Sequence, residues 1–197
     1  MAELGISIAA KLIEVENLSE FGEEFQRCAS SLRSLEIRCC SNLRRLSGEG
    51  GGLELLTSLE SLDLDSNNQL SFCEDGVNDN DMPWKSLHQS LRNLQFSYTD
   101  MMNLPKGIQY LTSLQSLSLG SCWNVTNLPE WISCLSSLQS LSIEKCSAIK
   151  SLPDSMRNLA SLQQLVIKSC TELEERCKEP NGEDWPKIQH IPHVDIR

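Results

Sequence analysis

The sequence predicts an α/β repeat, a solenoid with a curved parallel sheet on its concave side and short helices, 3₁₀ turns and loops on its convex side. Three observations predict it. A pattern of apolar residues at intervals of 3, 2, 3, 3 and 3 recurs in register, its best copies step by 24 residues, and the later copies run into Leu-Pro.

The clearest copies are Leu114, Leu117, Leu119, Cys122, Val125, Leu128, then Leu138, Leu141, Ile143, Cys146, Ile149, Leu152, then Leu162, Leu165, Ile167, Cys170, Leu173. Looser copies precede them: Leu32, Leu35, Ile37, Cys40, Leu43, Leu46; Leu59, Leu62, Leu64, Asn67, Leu70; and Leu91, Leu94, Phe96, Thr99, Met102. Their starts lie 27, 32 and 23 residues before the next. A further copy reads as Met1, Leu4, Ile6, Ala9, Leu12, Val15, giving seven coils with a first one 31 residues long.

In each x-L-x-L core, alternate residues of a short strand point inward. Each coil buries its leucines only against its neighbours, so the core is a line rather than a ball. A set of amphipathic helices is excluded, because the intervals do not hold a 3.6 period. The architecture that carries L-x-x-L-x-L at this period is the leucine-rich repeat solenoid, expected over residues 1–170.

The return path is legible in Leu104-Pro105, Leu128-Pro129 and Leu152-Pro153, which precede Ile108 and Leu111, Ile132 and Leu135, and Met156 and Leu159. Proline starts a short helix and cannot continue a strand. An open solenoid end exposes its core. Residues 171–197 are therefore expected to cap the Leu162 coil, with Trp185 or Ile188 buried.

Cys40, Cys122, Cys146 and Cys170 fall at the ninth position of the unit, the slot that Asn67 and Thr99 fill elsewhere. There an inward side chain must hydrogen-bond the backbone as the chain leaves the strand. A zinc site needs four ligands at about 2.3 Å, successive coils lie about 4.8 Å apart and no His is near, so these read as structural thiols. Cys28, Cys73, Cys134 and Cys177 lie outside the ladder and show no role. Two stretches, Ser47 to Gly52 and Cys73 to Trp84, lengthen their coils. The second is acidic but lacks calcium-loop spacing, so a solvated loop is expected.

No P-loop, H-E-x-x-H or G-x-S-x-G occurs, and the histidines are His88, His190 and His193. Without a nucleophile, base or metal cluster, neither an enzyme nor a cofactor is expected. The net charge of −10 argues against nucleic acid, whose phosphates need clustered Lys and Arg, and favours a protein partner. Nine cysteines without the dense spacing of a secreted scaffold read as reduced thiols. The first residues lack a basic n-region, and no run of about 18 apolar residues appears. A cytoplasmic or nuclear monomer, off the membrane, is expected. The sequons at Asn17 and Asn124 would matter only in a secreted chain.

The unit with Cys in its ninth slot, best seen at 138–153, resembles the C-terminal leucine-rich repeats of plant intracellular nucleotide-binding disease resistance proteins of the coiled-coil class. The ending C-T-E-L-E-E-R-C-K-E-P-N-G-E-D-W-P-K-I-Q-H-I-P-H-V, residues 170–194, resembles the close of those receptors more specifically. The resemblance implies recognition of a pathogen effector or guarded host protein, or docking that holds a nucleotide-binding domain inactive. The family's nucleotide-binding switch and signalling domain have no counterpart in this sequence. A free-standing repeat scaffold without immune function is the alternative.

Strand positions between the leucines face outward on the concave side. The candidate protein-binding residues are Arg33, Glu36 and Arg38 on one coil, Glu60, Asp63 and Asp65 on the next, and Arg92, Gln95 and Tyr98 on the third. Three acids thus lie between arginines on both neighbours. Either they pair across strands, at about 0–1 kcal/mol each, or they form a polar hot spot anchored by Tyr98. The later coils are blander.

Overall fold

Among the described residues, eight short strands stack in sequence order as one open parallel sheet in the computed structural model. It describes residues 8–13 as backbone, and 30–40, 42–44, 46, 55–68, 70 and 84–197. The strands are β1 (Ile8–Ile13), β2 (Leu32–Arg38), β3 (Ser61–Asp65), β4 (Asn93–Ser97), β5 (Ser116–Gly120), β6 (Ser140–Glu144), β7 (Gln164–Lys168) and β8 (His193–Ile196).

Alternation sets the register. Leu35, Leu62, Leu94, Leu117, Leu141 and Leu165 stand opposite one another in successive strands, as do Ile37, Leu64, Phe96, Leu119, Ile143 and Ile167. All are buried. A slip of one residue in any strand would turn its pair to solvent, at about 1.5–3 kcal/mol for each side chain, so the stack specifies its own alignment.

The first coil departs from the sequence expectation. Ala10 pairs with Leu35 and Leu12 with Ile37. Those two residues, not Leu4 and Ile6, hold the register positions, and the step from Ala10 to Leu35 is 25 residues rather than 31. A 25-residue coil keeps close to the period of the later ones. Met1, Leu4, Ile6 and Val15 lie outside the described residues, as do Asn17, Cys28, Cys73, the 47–52 stretch and 73–83 of the acidic stretch.

Three further expectations are corrected. Met102, assigned to an inward slot, is 66% exposed, while Met101 packs on the core. That coil is one residue shorter than the next, which shifts the apolar slot back by one. Trp84, read as the end of a solvated loop, is buried and opens a 3₁₀ turn, Trp84–Leu87. Its ring leans on Phe96, with centroids 6.4 Å apart, and fills the space where a Cβ on Gly107 would stand. Cys177, which showed no role in sequence, is fully buried in the core.

The return segments are 3₁₀ turns at Lys106–Tyr110, Glu130–Cys134 and Asp154–Asn158, each entered from Pro105, Pro129 or Pro153. Ile108, Ile132 and Met156 turn inward from them with no exposed surface. Beyond β7 the chain forms α1 (Thr171–Cys177) and α2 (Trp185–Ile188), then returns as β8, parallel to β7. Ile188 is fully buried, and Trp185 is partly buried against the core.

Candidate protein-binding face

Two ladders fix the edge from which each strand leaves the sheet. At the eighth position Cys39, Ser66, Tyr98, Ser121, Lys145 and Ser169 all adopt left-handed φ values between 51° and 56°. Each of their N–H groups donates to the neighbouring coil, for example Tyr98 to the Gly120 carbonyl at 2.9 Å. At the ninth position Asn67 donates to the Ile37 carbonyl at 2.7 Å and accepts from the Cys40 N–H at 3.0 Å. The thiols imitate that amide more weakly: Cys146 donates to Leu119 and Cys170 to Ile143, at 3.6 and 3.7 Å.

Cys146 is held well above the ordinary thiol range by its hydrogen bond with Cys122 and by burial. Burial also raises Cys170. Burial, then the charge of Asp184, pushes Cys177 up to about 12. Protonated buried thiols are inert. Among the described residues, no group of three or more His, Cys, Asp and Glu side chains is placed to hold a metal ion.

The outward positions between the leucines form aligned rows. One runs Glu36, Asp63, Gln95, Ser118, Ser142, Val166, and the next Arg38, Asp65, Ser97, Gly120, Glu144, Lys168. The structure gathers four of the nine candidate residues around one guanidinium. Arg38 donates through Nη2 to Asp63 Oδ2 at 3.0 Å, pairs through Nε with Glu36, and lies 3.7 Å from Asp65. The hydrogen bond to Asp63 raises the Arg38 pKa. Burial nevertheless lifts Asp63 above the usual carboxylate range, outweighing the hydrogen bond and charge of Arg38.

Arg33 and Glu60 pair beside this cluster at 2.5 Å, half-exposed. Arg92 stands beside Glu60, whose carbonyl accepts its N–H at 2.8 Å, but its guanidinium is engaged elsewhere. Its Nη1 donates to the Ser113 carbonyl at 3.2 Å. Gln95 donates to Ser97 at 3.2 Å. Tyr98 is 46% exposed and meets Trp123 edge-on, with centroids 5.8 Å apart. The repeat pattern does not point to Trp123. Its signal is a tryptophan directly after the ninth-position Cys, where other coils carry Asn68, Asp100 and Ser147.

The model of the leucine-rich repeat region family matches residues 69–179. The chain belongs to that family. No curated protein matches its sequence. Among solved structures, the leucine-rich repeat domain of the type III effector XopL is similar at 21% identity and a TM-score of 0.57, over 84% of this chain and 70% of that one. TLR13, solved as a complex with ssRNA13, has the same identity and TM-score over 94% of this chain, which spans 28% of its length. InlJ from Listeria monocytogenes, described as including a cysteine ladder, matches at 13% identity and a TM-score of 0.51, over 91% of this chain and 42% of its own. At these identities the likeness establishes the fold, a leucine-rich repeat solenoid. Repeat domains of this family are interaction modules, and protein is their general kind of partner. Among the described residues no helix is long and apolar enough to cross a membrane.

Proposed function

We propose that the chain is a protein-recognition module of plant innate immunity, which senses a pathogen effector or guarded host protein or docks on a nucleotide-binding domain to hold it inactive. The closing segment, 170–194, is the observation that carries this reading, since it is the part that most specifically resembles those receptors. Its charged residues have physical work to do. Arg176 and Lys187 both pair with buried Asp184, which accepts the Leu152 N–H at 2.9 Å. On this reading the segment is a cap for the repeats, expected over 1–170, and leaves the sheet face for a partner. Cytoplasm or nucleus is the compartment this role requires, and a monomer suffices for it.

The partner would approach the rows around Arg38, where opposite charges supply selectivity and on-rate more than affinity. The test is a pull-down from plant extract with the intact chain as bait, with and without effector challenge. Retention of a nucleotide-binding domain protein, or of one specific protein that changes on challenge, supports the proposal. A second reading, a free-standing scaffold without immune function, is favoured by Arg38 already being paired inside the chain. It gains if the retained protein has no nucleotide-binding domain and ignores challenge.

A further inference from the structure

Tyr98 and Trp123 form an exposed aromatic pair that packing does not require. Their rings meet at 73°, the edge-to-face arrangement that aromatic quadrupoles favour, yet they are 46% and 50% exposed. Tyr98 has φ 51 at a position where the other coils carry Cys, Ser or Lys. The left-handed backbone disfavours any residue with a Cβ, and about half of the Tyr98 surface stays exposed on it. The pair is also held ready: Asn124 donates to the Asp100 carbonyl at 3.3 Å, tying the two exit turns together. Pre-ordering of this kind lowers the entropic cost of binding.

The surroundings identify the chemistry of an occupant. Asp65 stands beside Ser97, Ser97 beside Gly120, and Gly120 beside Glu144. A small floor therefore adjoins the aromatic pair, with an acid at either end about 14 Å apart at the strand spacing. A Cβ on Gly120 would come within 3.2 Å of Ser97 Oγ. Asp100 adds an exposed carboxylate on the turn that follows Tyr98. Residues 93–103 and 116–127 contain no Lys or Arg. Aromatic faces attract cations, whereas a chain of net charge −10 repels phosphate and anionic lipid.

We propose that this rim binds a cationic segment of a partner protein, with an Arg or Lys side chain over the Tyr98 and Trp123 rings and its neighbours facing Asp100 and Glu144. The proposal rests on the protein-recognition reading and names the partner's chemistry.

The probe is an acetylated peptide of alternating Gly and Arg, titrated into the intact chain and followed by amide NMR shifts at low and physiological salt. Saturable shifts confined to residues 97–103 and 120–126 are expected. Affinity should fall about tenfold or more in Tyr98→Ala and in Trp123→Ala, whose melting should stay unchanged because both side chains are exposed. Equal binding by the wild type and both variants would mean that net charge alone attracts the peptide, and the proposal fails. Tighter binding of a single-stranded oligonucleotide or of anionic vesicles also overturns it. A natural partner retained equally by wild type and the double variant removes this rim and leaves protein recognition standing.

Discussion

The guanidinium of Arg176 grips the buried carboxylate of Asp184 through two hydrogen bonds, Nε to Oδ2 at 3.1 Å and Nη2 to Oδ1 at 3.2 Å. Lys187 reaches the same carboxylate at 3.0 Å and donates to the Leu152 carbonyl at 2.5 Å. The tail is thereby fastened to the Leu152-Pro153 entry of the preceding return turn. A charge with no exposed surface is tolerated only when it is paired and fully hydrogen-bonded.

Asp184→Ala should therefore cost about 1–3 kcal/mol, the penalty for leaving the buried Leu152 N–H without an acceptor, since Arg176 and Lys187 keep Glu183 and Asp154 as partners. Asp184→Asn should cost less, because its amide oxygen can still accept from Leu152. Burial alone would raise the Asp184 pKa, but Arg176, the Leu152 N–H and Lys187 bring it below the usual range. A depressed folded pKa gives stability that is fully present above the unfolded value, about 3.9, and is lost as pH falls through the folded one. Urea unfolding of wild type should weaken below about pH 4 more steeply than that of Asp184→Asn. Parallel pH profiles would remove Asp184 from the account.

Asp63 has the opposite sign. Burial raises its pKa even beside Arg38, so the ionised form is disfavoured by folding. Its contribution is best below the unfolded value and is lost as pH rises through the raised folded value. Asp63→Asn should accordingly be neutral or stabilising at pH 7, by less than about 1 kcal/mol, with Glu36 and Asp65 still serving Arg38. Thermal melts at pH 7 and pH 4 check this. A clear loss of stability at pH 7 would show that Arg38 depends on Asp63 specifically.

The cysteine ladder predicts an asymmetry between two thiols. Cys146→Ala leaves the Leu119 carbonyl without its donor and opens space in a fully buried slot, at about 1–3 kcal/mol. Cys134 is exposed, so its replacement should stay within about 0.5 kcal/mol. Denaturant midpoints of the two variants decide the matter, and equal losses would dismiss the ladder.

These cases show which physics the sequence wrote plainly. The repeat, the inward leucines, the ninth slot and the proline-started turns each follow from local periodicity, and the structure places them where the spacing puts them. Arg92 and Asp184 were illegible because their partners are set by how coils stack and by which way a long side chain swings. A tenth-position tryptophan such as Trp123 has no period to announce it. Met102 and Trp84 depart from the period where a deletion or an irregular stretch breaks the step. The first coil slipped for the same reason, since its apolar run offers two alternations and only pairing with β2 selects one.

The last prediction separates the sheet face from the return side once a partner is in hand. Asp63→Lys with Asp65→Lys reverses charge in the rows around Arg38, which should slow association and change its salt dependence, because facing charges steer encounter. Glu130 and Asp154 look like natural controls on the return side, but both are structural. Glu130 accepts the Ser155 N–H at 2.9 Å, which holds its pKa below the usual range, and Asp154 pairs with Lys187 at 3.2 Å. A cleaner control adds the same charge by replacing Thr112, Ser136, Asn158 and Ala160 with Lys, all four being exposed in or after the return turns. Binding kinetics at two salt concentrations should then show a slowed on-rate for the sheet-face pair and little change for the control. If the control slows association equally, long-range charge alone governs encounter and the rows around Arg38 are a solvated face. If only the control matters, recognition lies on the return side.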